Sequence, residues 1–335
     1  MTIRELAKLI QVSPATVSLV LNGREGVGAE TRKRVLDAAR EHGYHHAPKK
    51  AKKSGRILLL KYHESGMLVE ENQGFVSMII DAIENRLNLE GYRMNMTALK
   101  SDFEKGIKAI DYERYIGAIV IGSELREEMY PLLSRIPLPF VVVDNTVPNF
   151  PCSSVCMNNH ENVYLALEHC KECGHKKIGY FRSRTDFENF RARNRAFKIY
   201  VKELGLEFDE EDEFRLSPSL IGAYQEMKEI LKSDPKLSPC FFADNDTIAL
   251  GAIKALKEKG YKIPQDISVI GFDDIAYASI SSPALTTIKV QRDLVGRQAV
   301  SQLLALIANP ELMPVKSYVT GSVIKRKSVK IIREA

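Results

Sequence analysis

Three short amphipathic runs open the chain. Ile3, Leu6, Ala7 and Ile10 recur at helical spacing behind Thr2-x-x-Glu5, a capping box in which hydroxyl and carboxylate satisfy each other's backbone amides. Ser13-Pro14 marks a second start, with serine as cap and proline at the first helical position, where its missing N–H costs nothing. That helix carries Ala15-Thr16-Val17-Ser18-Leu19-Val20-Leu21 and stops at Asn22-Gly23. A third, from about Ala29 to His42, carries Val35, Leu36, Ala38 and Ala39 and ends at Gly43. Two short helices joined by a three- or four-residue turn predict a helix-turn-helix. The second begins with small residues, so its N-terminal amides can approach a phosphate backbone closely. A three-helix protein-interaction module fits the same local signals.

From Arg56 the period changes. Strand-like runs at Arg56–Tyr62, Tyr92–Ala98, Ile116–Ile121, Phe140–Val143, Lys177–Phe181, Cys240–Ala243 and Ile267–Gly271 alternate with amphipathic stretches. Those stretches are 75–90, 159–173, 188–204, 219–232 and 245–259, followed by a long helix at 291–308. This order predicts an α/β body whose parallel sheets are covered on both faces. The strand count suggests two similar lobes rather than one barrel. Ligands of open α/β sheets bind beyond the carboxyl ends of the strands, so two facing lobes make a cleft there.

With 335 residues the chain is too long for one typical core. The expected division is an all-α headpiece over 1–46, a basic linker over 47–55 and a two-lobed domain over 56–335. The first lobe takes about 56–158 plus 289–318, and the second about 159–288 plus 319–335. No apolar stretch is long enough to span a bilayer, and the N-terminus enters an amphipathic pattern directly, without a signal peptide. A cytoplasmic protein, with no membrane partner, is expected.

Charge sharpens the picture. Residues 1–56 hold 12 Lys and Arg against 5 Asp and Glu, or +7, whereas the remainder holds 36 against 38, or −2. A basic end on a near-neutral body is the footprint of a nucleic-acid-binding module, although basic tails also bind acidic membranes or proteins. The five cysteines, Cys152, Cys156, Cys170, Cys173 and Cys240, are odd in number and scattered, which suits a reducing compartment rather than a disulfide framework. His169-Cys170-x-x-Cys173-x-His175 invites a zinc reading, but ligands so closely spaced on one helix do not converge. A helix end stopped by Gly174 is the plainer account, and neither metal nor cofactor is expected.

Enzymatic chemistry finds no support. There is no G-x-G-x-x-G, no Walker loop and no nucleophile paired with a base in a matching context. Asp273-Asp274 are adjacent carboxylates whose side chains need not converge.

The motifs themselves are specific. Val12-Ser13-x-x-Thr16-Val17-Ser18-x-Val20-Leu21-Asn22-Gly23, then Glu30-Thr31-Arg32-x-x-Val35 and Gly43-Tyr44, resemble the headpiece of the lactose/galactose repressor family (LacI/GalR). The resemblance continues through Gly174-His175-Lys176-Lys177-Ile178, Ala243-Asp244-Asn245-Asp246-Thr247-x-Ala249-x-Gly251, Pro264-x-Asp266-Ile267-Ser268-Val269-Ile270-Gly271-Phe272-Asp273-Asp274 and Pro283-Ala284-Leu285-Thr286-Thr287-Ile288. Lys325-Arg326-Lys327-Ser328 resembles the family's last strand.

This resemblance implies a transcriptional repressor of carbohydrate-utilisation genes, binding a near-palindromic double-stranded DNA operator as a homodimer and answering to a small effector, a sugar by expectation. It places Pro14, Ala15 and Leu19 where relatives read base edges, and Thr2, Ser13, Thr16, Ser18, Asn22, Thr31 and Tyr44 at backbone-contacting or positioning places. Leu19 departs from the arginine of many relatives; with Ala15 it predicts apolar contacts to thymine methyls. Gly28 stands where relatives usually have serine, which weakens the cap of the third helix.

The linker departs further. Where the family carries a leucine that wedges into the minor groove, an ungapped overlay puts Lys53, and no bulky apolar residue lies nearby. Lys49, Lys50, Lys52 and Lys53 suit phosphate neutralisation, and equally a solvated linker.

For the effector, the resemblance assigns Phe75, Asp144, Arg193, Phe242, Asn245 and Asp273. Polar forks between aromatic faces suit a polyol or pyranose. Each position has a structural alternative. Asn245 caps the helix that follows, Asp273 caps a later turn, Phe75 and Phe242 belong to the core, and Arg193 pairs with Glu188 or Asp186 at the surface. Two other functional readings remain open. One is a solute-binding protein without a DNA role, and the other is a regulator whose co-effector is a phosphocarrier protein.

Overall fold

The computed structural model describes residues 2–21, 26–42, 55–64, 73–100 and 102–332. The chain divides into two compact units, 1–54 and 55–335.

Among the described residues the small unit has three helices: α1 (Ile3–Leu9), α2 (Pro14–Leu21) and α3 (Ala29–Glu41). The capping box at Thr2 forms, the Thr2 amide donating to Glu5 Oε2 at 2.8 Å and the Glu5 amide to Thr2 Oγ1 at 3.3 Å. Between α1 and α2 the chain turns at Gln11, whose φ of 53° is left-handed. Leu6, Ala7, Val17, Val20, Val35, Ala38 and Ala39 make the core. Leu36, expected on the inner face of α3, points outward at 40% exposure. Arg34 ties α3 back to α1, donating to the Ile10 carbonyl at 2.9 Å.

The large unit holds two six-stranded sheets. The first lobe is built on β1 (Arg56–His63), β2 (Arg93–Lys100), β3 (Gly117–Ile121), β4 (Phe140–Val143), β5 (Ser153–Met157) and β11 (Lys316–Val319), in the order β11-β5-β4-β3-β1-β2. Helices α4 (Gln73–Leu89), α5 (Phe103–Lys108) and α11 (Arg292–Ala308) belong to this lobe. The second lobe is built on β6 (Gly179–Ser183), β7 (Glu213–Leu216), β8 (Cys240–Ala243), β9 (Ser268–Asp273), β10 (Thr286–Lys289) and β12 (Ser322–Ile324), ordered β12-β10-β9-β8-β6-β7. It carries α6 (Asn159–Glu172), α7 (Glu188–Glu203), α8 (Leu220–Ile230), α9 (Asp246–Lys259) and α10 (Ala276–Ile280). Pairing is parallel throughout except β10 with β12. The chain passes between the lobes three times: after β5, between β10 and α11, and between β11 and β12.

Central strands are buried on both faces, as Gly117–Ile121 and Cys240–Ala243 show by having no exposed position. The edge strand β2 is largely exposed instead, with Leu99 its one buried residue and Met96 57% exposed.

One expected strand is absent. Residues 325–328 are irregular, and β12 ends before them. Ser328 takes the place of a ladder there: its hydroxyl donates to the Val269 carbonyl at 2.6 Å and accepts from the Thr286 amide at 2.8 Å. The segment His169–His175 ends α6 at Gly174, whose φ is 89°. Cys170 is fully buried, and Cys173 Sγ lies 3.7 Å from His169 Nε2. Among the described residues no group of three or more His, Cys, Asp or Glu is placed to hold a metal ion. Nor is any described helix long and apolar enough to cross a membrane.

Candidate functional site

In the small unit, the start of α2 is the chemically distinctive surface. Ser13 Oγ accepts the Thr16 amide at 3.0 Å and lies 2.8 Å from Thr16 Oγ1. Ser13, Pro14 and Ala15 are exposed, while Thr16, Ser18 and Leu19 are half-buried. Thr2 is exposed and Thr31 half-buried. The helix thus offers its amide end with side chains too small to hold a surface away. At Gly28 the third helix begins without a side-chain cap. The expectations for Asn22, Tyr44, Lys49, Lys50, Lys52 and Lys53 fall outside the described residues.

In the large unit, a cavity of about 60 Å³ lies between the lobes. Five of the six expected residues line it: Phe75, Asp144, Arg193, Asn245 and Asp273. Phe242 does not. It is fully buried among Tyr180 and Phe197, with ring centres 5.5 and 5.9 Å away, so that position is corrected to core. The reason is geometric. Phe242 lies inside β8, short of the carboxyl end of the strand, where the cleft is.

Asp144 follows β4 with a left-handed φ of 63°. Its carboxylate accepts from the Ser123 hydroxyl and, at 3.1 Å, from Asn189 Nδ2. Burial pushes its pKa up to about 6, against the pull of Ser123, Arg193 and Asn189, while Asp273 pushes the same way as burial. Asp244, one residue before Asn245, is raised to about 6 for the same first cause.

Arg193 is the best-anchored group. Its Nε donates to Asn159 Oδ1 at 2.9 Å, one terminal nitrogen donates to the Asp244 carbonyl, and the other faces Met157 Sδ at 3.0 Å and Asp273 Oδ1 at 3.6 Å. The guanidinium stacks on Phe272, 3.7 Å from the ring centre, with Phe190 at 5.6 Å. Glu188 and Asp186, the surface alternatives, pair with Arg191 and Arg195 instead.

Asn245 does two jobs at once. It caps α9, its Oδ1 accepting from the Ile248 amide at 2.9 Å, and it lines the cavity. Asp273 has a φ of 115°, a strained conformation for a residue with a side chain; in the turn after it the amide of Ile275 is satisfied by Asp246 at 2.9 Å, and α10 starts without a side-chain cap.

Sequence reasoning missed Ser123, Glu124, Met157, Phe187, Asn189 and Phe190, which complete the lining together with Val76. Two signals pointed there. Ser123 and Glu124 lie just past β3, and Asn189 and Phe190 sit four and three positions before Arg193 on α7, on one helical face.

Residues 2–46 match the family described as bacterial regulatory proteins, lacI family. Residues 167–329 match the periplasmic binding protein-like domain. The HTH-type transcriptional repressor PurR of Haemophilus influenzae (strain ATCC 51907 / DSM 11121 / KW20 / Rd) is 33% identical over 347 residues, covering 99% of both chains. That of Mannheimia succiniciproducens is 31% identical over 336 residues, again 99% of both. In fold, the chain is similar to the transcriptional regulator CelR in complex with cellobiose, at a TM-score of 0.73 and 23% identity, over 98% of this chain and 99% of that one. The lac repressor dimer bound to operator and the anti-inducer ONPF gives the same TM-score, identity and coverage.

Proposed function

The chain belongs to the lacI family of bacterial regulatory proteins, and from that premise we propose that it is a dimeric, cytoplasmic repressor of carbohydrate-utilisation genes, released from or fixed on its operator by a sugar held between its lobes. That it is a DNA-binding transcriptional repressor and not an enzyme follows from family membership.

The sugar rests on the cavity. Asp144, Asp273 and Asn245 supply carboxylate and amide groups that accept from or donate to hydroxyls, while Phe75, Phe187 and Phe190 offer ring faces to C–H surfaces. Arg193 is already committed to Asn159, Asp244 and Met157, so it orients the site more than it clamps an anion. The observation that carries this reading is the meeting of Asp144, Asn189, Arg193 and Asp273 from both lobes around one enclosed volume.

On DNA, α2 enters the major groove by its Ser13 end. Pro14, Ala15 and Leu19 touch base edges, and Thr2, Ser13, Thr16, Ser18, Asn22, Thr31 and Tyr44 touch or position the backbone. Lys49, Lys50, Lys52 and Lys53 neutralise phosphates. A two-fold dimer matches a near-palindromic site.

The test is an operator obtained by selection from random duplexes, then titrated with the full chain in the presence of single sugars. A sugar that shifts operator affinity is the expected result. No selected duplex removes the DNA role, and response only to a phosphocarrier protein would move the effector from the cavity to a protein partner.

A further inference from the structure

Arg292 is the first residue of α11 and so belongs to the first lobe, yet one of its terminal nitrogens donates to the main-chain carbonyl of Asp274 in the second, at 3.0 Å. Its guanidinium carbon sits 5.5 Å from the centre of the Phe75 ring, which lines the cavity. The side chain is deeply enclosed, at 8% exposure, and its Nε is buried with no hydrogen-bond partner. Burying a cation with so few acceptors is costly, so the contact it does make has to hold it in place.

The acceptor is unusually well fixed. Asp273 and Asp274 both have positive φ, 115° and 56°, a kink that persists only where its surroundings impose it. Arg326 imposes it, donating to Asp274 Oδ1 at 2.6 Å and to the Leu285 carbonyl at 2.8 Å. The carbonyl that Arg292 grips therefore moves with the second lobe, one residue from Asp273 of the cavity.

The cavity between them measures about 60 Å³, so the spacing of the lobes sets how large a molecule it admits.

We propose that Arg292 is a positioning residue that clasps the two lobes. It packs on Phe75 from one side, holds the Asp273-Asp274 kink from the other, and sets how readily the cavity opens. Its regulatory meaning rests on reading the cavity as the effector site; the clasp itself does not.

The experiment needs no effector. All five native cysteines are buried, so Lys105→Cys in the first lobe and Lys236→Cys in the second, both exposed positions, take a donor and an acceptor dye in the full chain. The labelled chain is diluted into excess unlabelled chain, so that transfer is read within single chains. Arg292→Met, which keeps the stem and removes every donor, is expected to change the transfer efficiency as the lobes part. Arg292→Lys, long enough to reach the carbonyl, should restore part of it. Arg297→Ala, which removes an exposed charge from the same helix, should leave transfer at the parent value. Parent-level transfer in Arg292→Met, or an equal change in Arg297→Ala, overturns the clasp. Should Arg292→Met fail to fold, Arg292→Gln, whose amide falls short of Asp274, must show the same change or the proposal falls. A changed transfer in a protein that ignores every sugar would leave the clasp standing and remove the effector reading.

Discussion

Asn189 of the second lobe donates to Asp144 of the first twice over, its Nδ2 lying 3.0 Å from the main-chain carbonyl and 3.1 Å from Oδ1. Its own oxygen is held in turn by Asn159 Nδ2 at 2.9 Å and by the Cys156 thiol at 3.2 Å. An incoming hydroxyl that wants Asp144 must share it with this amide. Asn189→Ala is therefore expected to loosen the closed lobes and lower unfolding stability by about 1–2 kcal/mol, measured by denaturant titration. A change within error would mean that the amide contributes nothing net.

Asp273→Asn tests the cavity. The substitution keeps shape but removes the charge that faces Arg193 at 3.6 Å. Response to the effector should weaken at least tenfold while operator affinity is retained, read by titrating a selected duplex with and without sugar. An unchanged response would take Asp273 out of the site.

Acidity gives a prediction with two opposed signs. The Asp144 and Asp244 carboxyls are raised to about 6 by burial. Between pH 4 and 6 the folded chain binds more protons than the unfolded one at these two groups, so their contribution to stability falls as pH rises and its cost is complete above 6. His175 does the reverse. Burial first, then the charge of Lys330, lowers it to about 4, so the unfolded chain takes its proton first as pH falls below 6.5, and the fold loses stability down to pH 4. His175→Phe should therefore flatten the loss on acidification between pH 6.5 and 4, and Asp144→Asn should steepen it. Denaturant midpoints across that range decide both.

The third helix of the headpiece begins at an uncapped Gly28, in an extended conformation that serine adopts freely, and a Cβ placed there meets no atom within 4 Å. Gly28→Ser should stabilise the small unit by a few tenths of a kcal/mol. Ser13→Ala, which removes the bond to the Thr16 amide, should cost it about 1 kcal/mol and weaken operator binding. Thermal melting of the isolated headpiece reads both.

Changing Lys49, Lys50, Lys52 and Lys53 together to alanine should reduce the slope of log affinity against log salt by up to about four. A slope equal to the parent's would make these lysines plain linker.

Much of this was legible in the residues themselves. Strands Phe140–Val143 and Cys240–Ala243 and helix ends at Ala308 and Lys259 coincide with apolar runs and helical periods that need no tertiary context. Strand β5 was not legible, because Ser153 and Ser154 break the apolar run. They are buried all the same, and Ser153 Oγ accepts the Val315 amide at 3.1 Å. Strand β7 carries Glu213 and Arg215, and Glu213 meets Arg182 of β6 at 2.9 Å, a partner that no local pattern announces. In the cavity, matched motifs located Asp144, Arg193, Asn245 and Asp273. They misplaced Phe242 by taking a ring inside a strand for one at its mouth. Asn189 and Arg292 gain their meaning only from the opposite lobe.

Because the polypeptide threads from one lobe to the other three times, neither lobe is a continuous piece of chain. The first sheet lacks its β11 edge, and its central strands lack α11, until residues 292–319 have left the ribosome. Folding of the first lobe therefore waits on almost the whole length of synthesis, with apolar strand faces uncovered meanwhile. A stop codon or frameshift between β10 and β11 would damage both halves together, leaving the headpiece as the sole part built from one uninterrupted stretch.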